Sequence, residues 1–275
     1  MRNPFLSFIF IGAAALALSP NLSAQVVQLI EVLEKNEKTS GPGGPAPKHD
    51  LFGAWAARRG GDRRNPNSLL KGPSPYTPAG EARFKLNRPG TASSKTNDPW
   101  MTCDPFGFPR DLTQESNGYT FSQLPDRIVI SNMYNRTART IWMDGRALPK
   151  NVGAPGGPTR RWYGYSSGHW DGDNKLVIKT NGFVPDTWLD QAGHPHSTDM
   201  VVEEQYTRTS FNIIQLIVTV DDPKYYTKPW VVAQNTYRWI PPDFAVYGTT
   251  GEYDEEFCVP SEMIRYNEVV RNLAQ

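Results

Sequence analysis

Met200-Val-Val-Glu-Glu-Gln-Tyr206-Thr-Arg208 and, shortly before it, Lys175-Leu-Val-Ile-Lys-Thr-Asn181 decide the fold class. Successive side chains of an extended strand point to opposite faces, so residues two apart share a face. Met200, Val202, Glu204 and Tyr206 then lie on one side, and Val201, Glu203, Gln205 and Thr207 on the other. The first set is the apolar one and should face a core. By the same count Leu176, Ile178 and Thr180 point inward, with Lys175 and Lys179 outward. Working outward, further strand-like runs are Leu51–Trp55, Arg127–Met133, Ala138–Met143, Trp162–Trp170, Phe211–Val220 and Trp230–Ile240. Asp144-Gly145, Asp171-Gly172 and Thr209-Ser210 separate or end these runs, as hairpin turns would. No helix-length periodic segment alternates with them, which disfavours a parallel α/β sheet. The expectation is an all-β protein, an antiparallel meander closed or nearly closed into a barrel.

After the opening strand, Arg59 to Asp98 is loop-rich, broken by one helical turn where Thr77 caps and Pro78 takes the first helical position. At the N-terminus, Arg2, the apolar run Phe5–Leu18 and the small residues Leu22-Ser23-Ala24 read as a cleavable secretory signal over 1–24. That predicts a periplasmic or secreted protein with no stable membrane span. Val26, Leu29, Ile30 and Leu33 give a short N-terminal helix, and Thr39–Pro47 a Gly/Pro linker, so that 25–49 is an appendage. Residues 50–275 form a single barrel domain, a size all-β domains commonly reach. The formal net charge of +1 provides no global field for nucleic acid, and Arg58, Arg59, Arg63 and Arg64 read as a solvated loop. Cys103 and Cys258 are the only cysteines, and in an exported protein such a pair is expected to form a disulfide.

Three of the four histidines, His169, His194 and His196, cluster near these strands. Histidine exchanges protons near neutral pH, and an inward carboxylate such as Glu204 must be paired or shift its pKa. His196 enters the Glu204 strand a few residues earlier and is the first choice for proton exchange, with His169 and His194 as further catalytic candidates. Arg110 follows a rigid Phe108-Pro109 turn and offers a fork of donors to an anionic or phenolic oxygen. Tyr165, Thr180 and Trp170 are the other candidate substrate contacts. Gly164-Tyr-Ser166-Ser-Gly168 matches the serine-hydrolase pattern but leads into a hairpin and not a helix, so a serine hydrolase is disfavoured. His194-Pro-His196 with Asp199, Glu203 or Glu204 could ligate a metal, yet Gly193 and Pro195 mark a turn; no metal and no cofactor is expected.

Ordered blocks along the chain carry a family resemblance. They include Gly53-Ala-Trp55, Thr77-Pro78, Gly107-Phe-Pro-Arg110, Met143-Asp-Gly-Arg146, Trp170-Asp-Gly-Asp173 and Trp188-Leu-Asp190. The clearest are Gly193-His-Pro-His-Ser197 and Asp221-Asp-Pro223 with Tyr226-Thr-Lys-Pro-Trp230. Over roughly Leu51 to Cys258 the chain resembles a large set of exported bacterial proteins, most of them uncharacterised, for which the resemblance implies a lipocalin-like β-barrel. It departs from that pattern at Tyr165, His169 and Lys179 and near Asn174. The residues themselves suggest a cofactor-independent acid–base enzyme of lyase, isomerase or hydratase type, acting on a largely apolar or aromatic small molecule. The competing expectation is a ligand-binding barrel without chemistry; a metal-dependent enzyme or serine hydrolase ranks below both.

Overall fold

The computed structural model describes residues 41–57, 73–90, 95–113, 118–132, 136–241 and 258–273. The expected signal, the Val26–Lys38 helix and the Arg58–Arg64 cluster lie outside the described residues. Nine strands, β1 (Gly53–Ala57), β2 (Tyr119–Gln123), β3 (Arg127–Asn132), β4 (Ala138–Trp142), β5 (Tyr165–Asp171), β6 (Lys175–Asn181), β7 (Val201–Ser210), β8 (Ile213–Asp221) and β9 (Trp230–Ile240), form one closed barrel in sequence order. Neighbours pair antiparallel and β9 closes onto β1, with one exception. Strands β4 and β5 are parallel, joined only through Ile141↔Ser166 and Trp142↔Ser167. A closed meander with an odd number of strands cannot alternate direction all the way round. One parallel pair is forced, and the fully antiparallel expectation is corrected there. Parallel neighbours also need a long crossover, which residues 143–164 provide.

Strand facing follows the alternation. Leu176, Ile178, Thr180, Met200, Val202, Glu204 and Tyr206 are all buried completely. Outward Lys179 pairs with Glu203 across the β6–β7 ladder, and Lys175 with Asp171. Tight turns at 124–126, 172–174 and 211–212 sit at one end of the barrel. Gly172 supplies the positive φ of +72° that the second turn requires. Arg208 shuts this end, donating to the Asp50 and Phe211 carbonyls with its guanidinium over Trp55. The β7–β8 turn falls at Phe211-Asn212 and not Thr209-Ser210, because β7 runs on to Ser210 across a bulge.

The long connections 58–118, 182–200 and 222–229 all emerge at the opposite end. Here Gly107–Thr113 plugs the barrel. Phe108, Arg110, Asp111 and Leu112 are buried, and Asn235 donates to the Leu112 carbonyl. Gly107 has φ +71°, and a Cβ there would lie 2.5 Å from Thr187, so the plug needs glycine at its entry. Helix α1 (Pro78–Phe84) is capped by Thr77, whose hydroxyl accepts from Gly80 N–H. Helix α2 (Arg110–Thr113) is one turn of the plug. Helix α3 (Pro260–Leu273) is tied to a 3₁₀ turn, Pro99–Thr102, by the Cys103–Cys258 disulfide and by Asn267 donating to the Met101 carbonyl.

Candidate functional site

The barrel interior is not purely apolar. Glu204, from β7, accepts two hydrogen bonds from the Arg139 guanidinium of β4, at 2.9 and 2.7 Å, and a third from Tyr206 at 2.9 Å. Alternation along β4 places Arg139 and Ile141 on the inner face, while Ala138 and Thr140 are exposed. Burial alone would pull the Arg139 pKa down; the Glu204 charge and hydrogen bonds overcome it and hold the guanidinium charged. Its face also rests 3.9 Å from the Phe108 ring centroid. The pair is matched, and neither member leaves a buried side-chain polar atom without a partner.

Asp111, on the plug, does. It is buried, its Oδ1 has no hydrogen-bond partner among the described residues, and burial pushes its carboxyl up to about 7. Arg139 opposes that rise and the Glu204 charge adds to it. Tyr163 is raised by burial and by the Asp111 charge, Tyr206 by burial and the Glu204 charge. Tyr119 donates to the Asp111 carbonyl at 2.5 Å. A carboxyl that titrates near neutrality, set among buried phenols and one arginine, can store and release a proton.

Access is provided by the parallel seam. A cleft of about 620 Å³ opens between β4 and the crossover, and Arg139 and Tyr163 belong to its lining. Arg146, Arg160 and Arg161 line it too, with Trp142, Trp162 and Tyr165, and none of its lining residues among the described ones is acidic. Arg146 is paired with Asp144 and lies over Trp142, and Arg161 stacks on Tyr165. Arg160 reaches the Thr198 carbonyl only at 3.4 Å.

The expected site residues scatter relative to this cluster. Glu204 is at its centre. Tyr165 is in the cleft, its hydroxyl donating to Thr159 O, and Thr180 is buried on the inner wall, sharing a hydrogen bond with Ser166. Arg110 is not available to a ligand: Asp98 holds it bidentately at 2.7 and 2.6 Å, between Phe106 and Trp188. His169 is exposed on the outer face, and Trp170 stacks on His49. His196 is buried with both ring nitrogens used. Its Nδ1 donates to Ser197 O, Nε2 accepts from Thr187, and burial pulls its pKa down. His194 points elsewhere, toward Asp190 and Ser74. Among the described residues no group of three or more His, Cys, Asp or Glu is placed to hold a metal ion.

The two charged members of the cluster beside Glu204, Arg139 and Asp111, are not among the residues expected from the sequence. Arg139 was legible, because the alternation that turned Glu204 inward also turns Arg139 inward and a buried carboxylate needs a cation. Asp111 carried no such signal, since it lies in a plug with no period. No protein-family model, no curated protein and no solved structure matches this chain.

Proposed function

We propose that this chain is an exported small-molecule enzyme that binds an aromatic anion in the seam cleft and moves a proton on it without a cofactor. Export rests on the signal-like leader and is compatible with the Cys103–Cys258 bridge. The lipocalin-like character suggested by the sequence blocks enters the same reading, as a barrel that takes one ligand. The observation that carries it is a cleft lined, among the described residues, by four arginines and no carboxylate, whose floor residues Arg139 and Tyr163 adjoin the Asp111 carboxyl. Arg160 and Arg161, which have no carboxylate partner among the described residues, would hold the anion; Trp142 and Trp162 offer flat apolar surface to a ring. Asp111 would exchange the proton, relayed through the Tyr163 phenol, in chemistry of the isomerase or lyase type.

Titration of the purified protein with aromatic carboxylates and their neutral amides, read by tryptophan fluorescence, tests the binding step. The carboxylates should quench and the amides should not. Arg161→Ala should weaken binding at least tenfold, about 1.4 kcal/mol. Incubation of the bound compounds followed by mass spectrometry tests turnover. Equal binding of acid and amide would remove the anion reading. Binding with no product from any bound compound would leave a carrier, which the complete pairing of Glu204 with Arg139 also favours.

A further inference from the structure

Away from the seam cleft, at the plugged end of the barrel, His194 Nδ1 lies 2.8 and 2.9 Å from the two carboxylate oxygens of Asp190, and its Nε2 lies 3.0 Å from Ser74 Oγ. We propose that Ser74, His194 and Asp190 form a second active site, a hydrolytic triad for carboxylic esters with small apolar acyl groups. A carboxylate with both oxygens on Nδ1 can only accept from it, which puts the ring proton on Nδ1 and the Nε2 lone pair toward the Ser74 hydroxyl. The Asp190 carboxylate is itself aimed by two backbone donors, Ala192 N–H and His194 N–H. Pro73 and Pro75 restrict the backbone on either side of Ser74. The Pro75 carbonyl accepts from Thr227 N–H, and Tyr76 bridges to Tyr226, so the segment is pinned to the barrel. Ser74 is only half-buried, whereas Asp190 and His194 are buried. The nucleophile can be reached and its base is shielded.

Two buried donors in the same aromatic nest could serve an acceptor oxygen of a substrate. Tyr76 and Trp230 both pack on the His194 ring; among the described residues the Trp230 indole nitrogen has no hydrogen-bond partner, and the Tyr76 hydroxyl has none apart from its neighbour Ser74. Burial raises the pKa of the Tyr76 phenol, so it stays a donor. Such donors match the oxyanion of a tetrahedral intermediate. Phe84 and Tyr226 complete an apolar wall suited to an acyl chain. The Ser74 oxygen attacks the ester carbonyl while its proton passes to His194 Nε2. The C–O bond to the alcohol breaks as His194 protonates the departing oxygen. Water then attacks the acyl-serine, returning a proton through His194 and releasing the carboxylic acid.

Reaction of the whole folded protein with a fluorophosphonate, followed by peptide mapping, reads the nucleophile directly, and p-nitrophenyl acetate and butyrate read turnover. The label should sit on Ser74. Ser74→Ala should abolish labelling and lower kcat/KM at least 100-fold, while Ser122→Ala on the outer surface changes neither. Asp190→Asn, a positioning change, should lower kcat with KM retained. A folded wild type that neither labels nor hydrolyses, a label on another residue, or full activity in Ser74→Ala overturns the proposal. Either result is independent of aromatic-anion binding in the seam cleft.

Discussion

Asp111 shows how one residue can set the pH response of a fold. Its folded carboxyl titrates near 7, above the ordinary 3.8, because burial penalises the anion more than Arg139 rewards it. Between those values the folded protein keeps a proton that the unfolded chain has released. The contribution to stability is therefore full below the unfolded value and is lost as pH rises through about 7. At 1.36 kcal/mol for each pH interval of one, the loss is roughly 4 kcal/mol. Asp111→Asn removes the titrating proton while keeping the shape. Urea unfolding of wild type and variant should diverge between pH 4 and pH 8, with the variant the more stable at the upper end. Parallel curves would mean that Asp111 is solvated or paired. Arg139 and Glu204 show the opposite case, a buried guanidinium and carboxylate that satisfy each other at 2.7 Å.

At the scale of elements, legibility followed periodicity. Strands β6 and β9 lie on their expected bounds because each is flanked by turn residues and carries a strand-like composition. The β2 strand was overlooked, although Tyr119 and Phe121 alternate inward with Thr120 and Ser122 between them; five residues give the period only two repeats. Helix α3 was illegible for a different reason. Ile264, Tyr266 and Val269 are exposed, so its described side chains present no apolar stripe buried on the barrel. The Ser74–His194 contact spans 120 positions between a proline-bounded loop and a turn, and no local pattern records it. Helix α3 should accordingly depend on its covalent tie. Closing a loop of this length is worth about 5 kcal/mol in the chain-entropy model. Reduction should let trypsin cut at Arg265 while the barrel keeps its far-ultraviolet dichroism. Continued protection of Arg265 in the reduced protein would show that packing alone holds the helix.

For the whole molecule, the odd number of strands leaves the β4–β5 seam the shortest ladder, with β1–β2, at three pairs, next. Strands β5 and β6 pair through seven residues and β7 and β8 through nine, whereas the β4–β5 seam has two. Opening free energy tracks the bonds and packing that an opening disrupts, so the barrel should breathe first at this seam. It is also where the arginine-lined cleft reaches Arg139 and Tyr163, so the weakest joint and the proposed ligand entry coincide. Amide hydrogen exchange should find Ala138–Trp142 and Tyr165–Ser167 exchanging faster than Lys175–Asn181 and Val201–Ser210 by at least tenfold. A bound aromatic carboxylate should slow exchange in β4 and β5 and leave β7 and β8 unchanged, because it bridges the two sides of the seam. Uniform protection around the barrel would show that the crossover 143–164 seals the joint as firmly as a full ladder, and that a ligand must enter elsewhere.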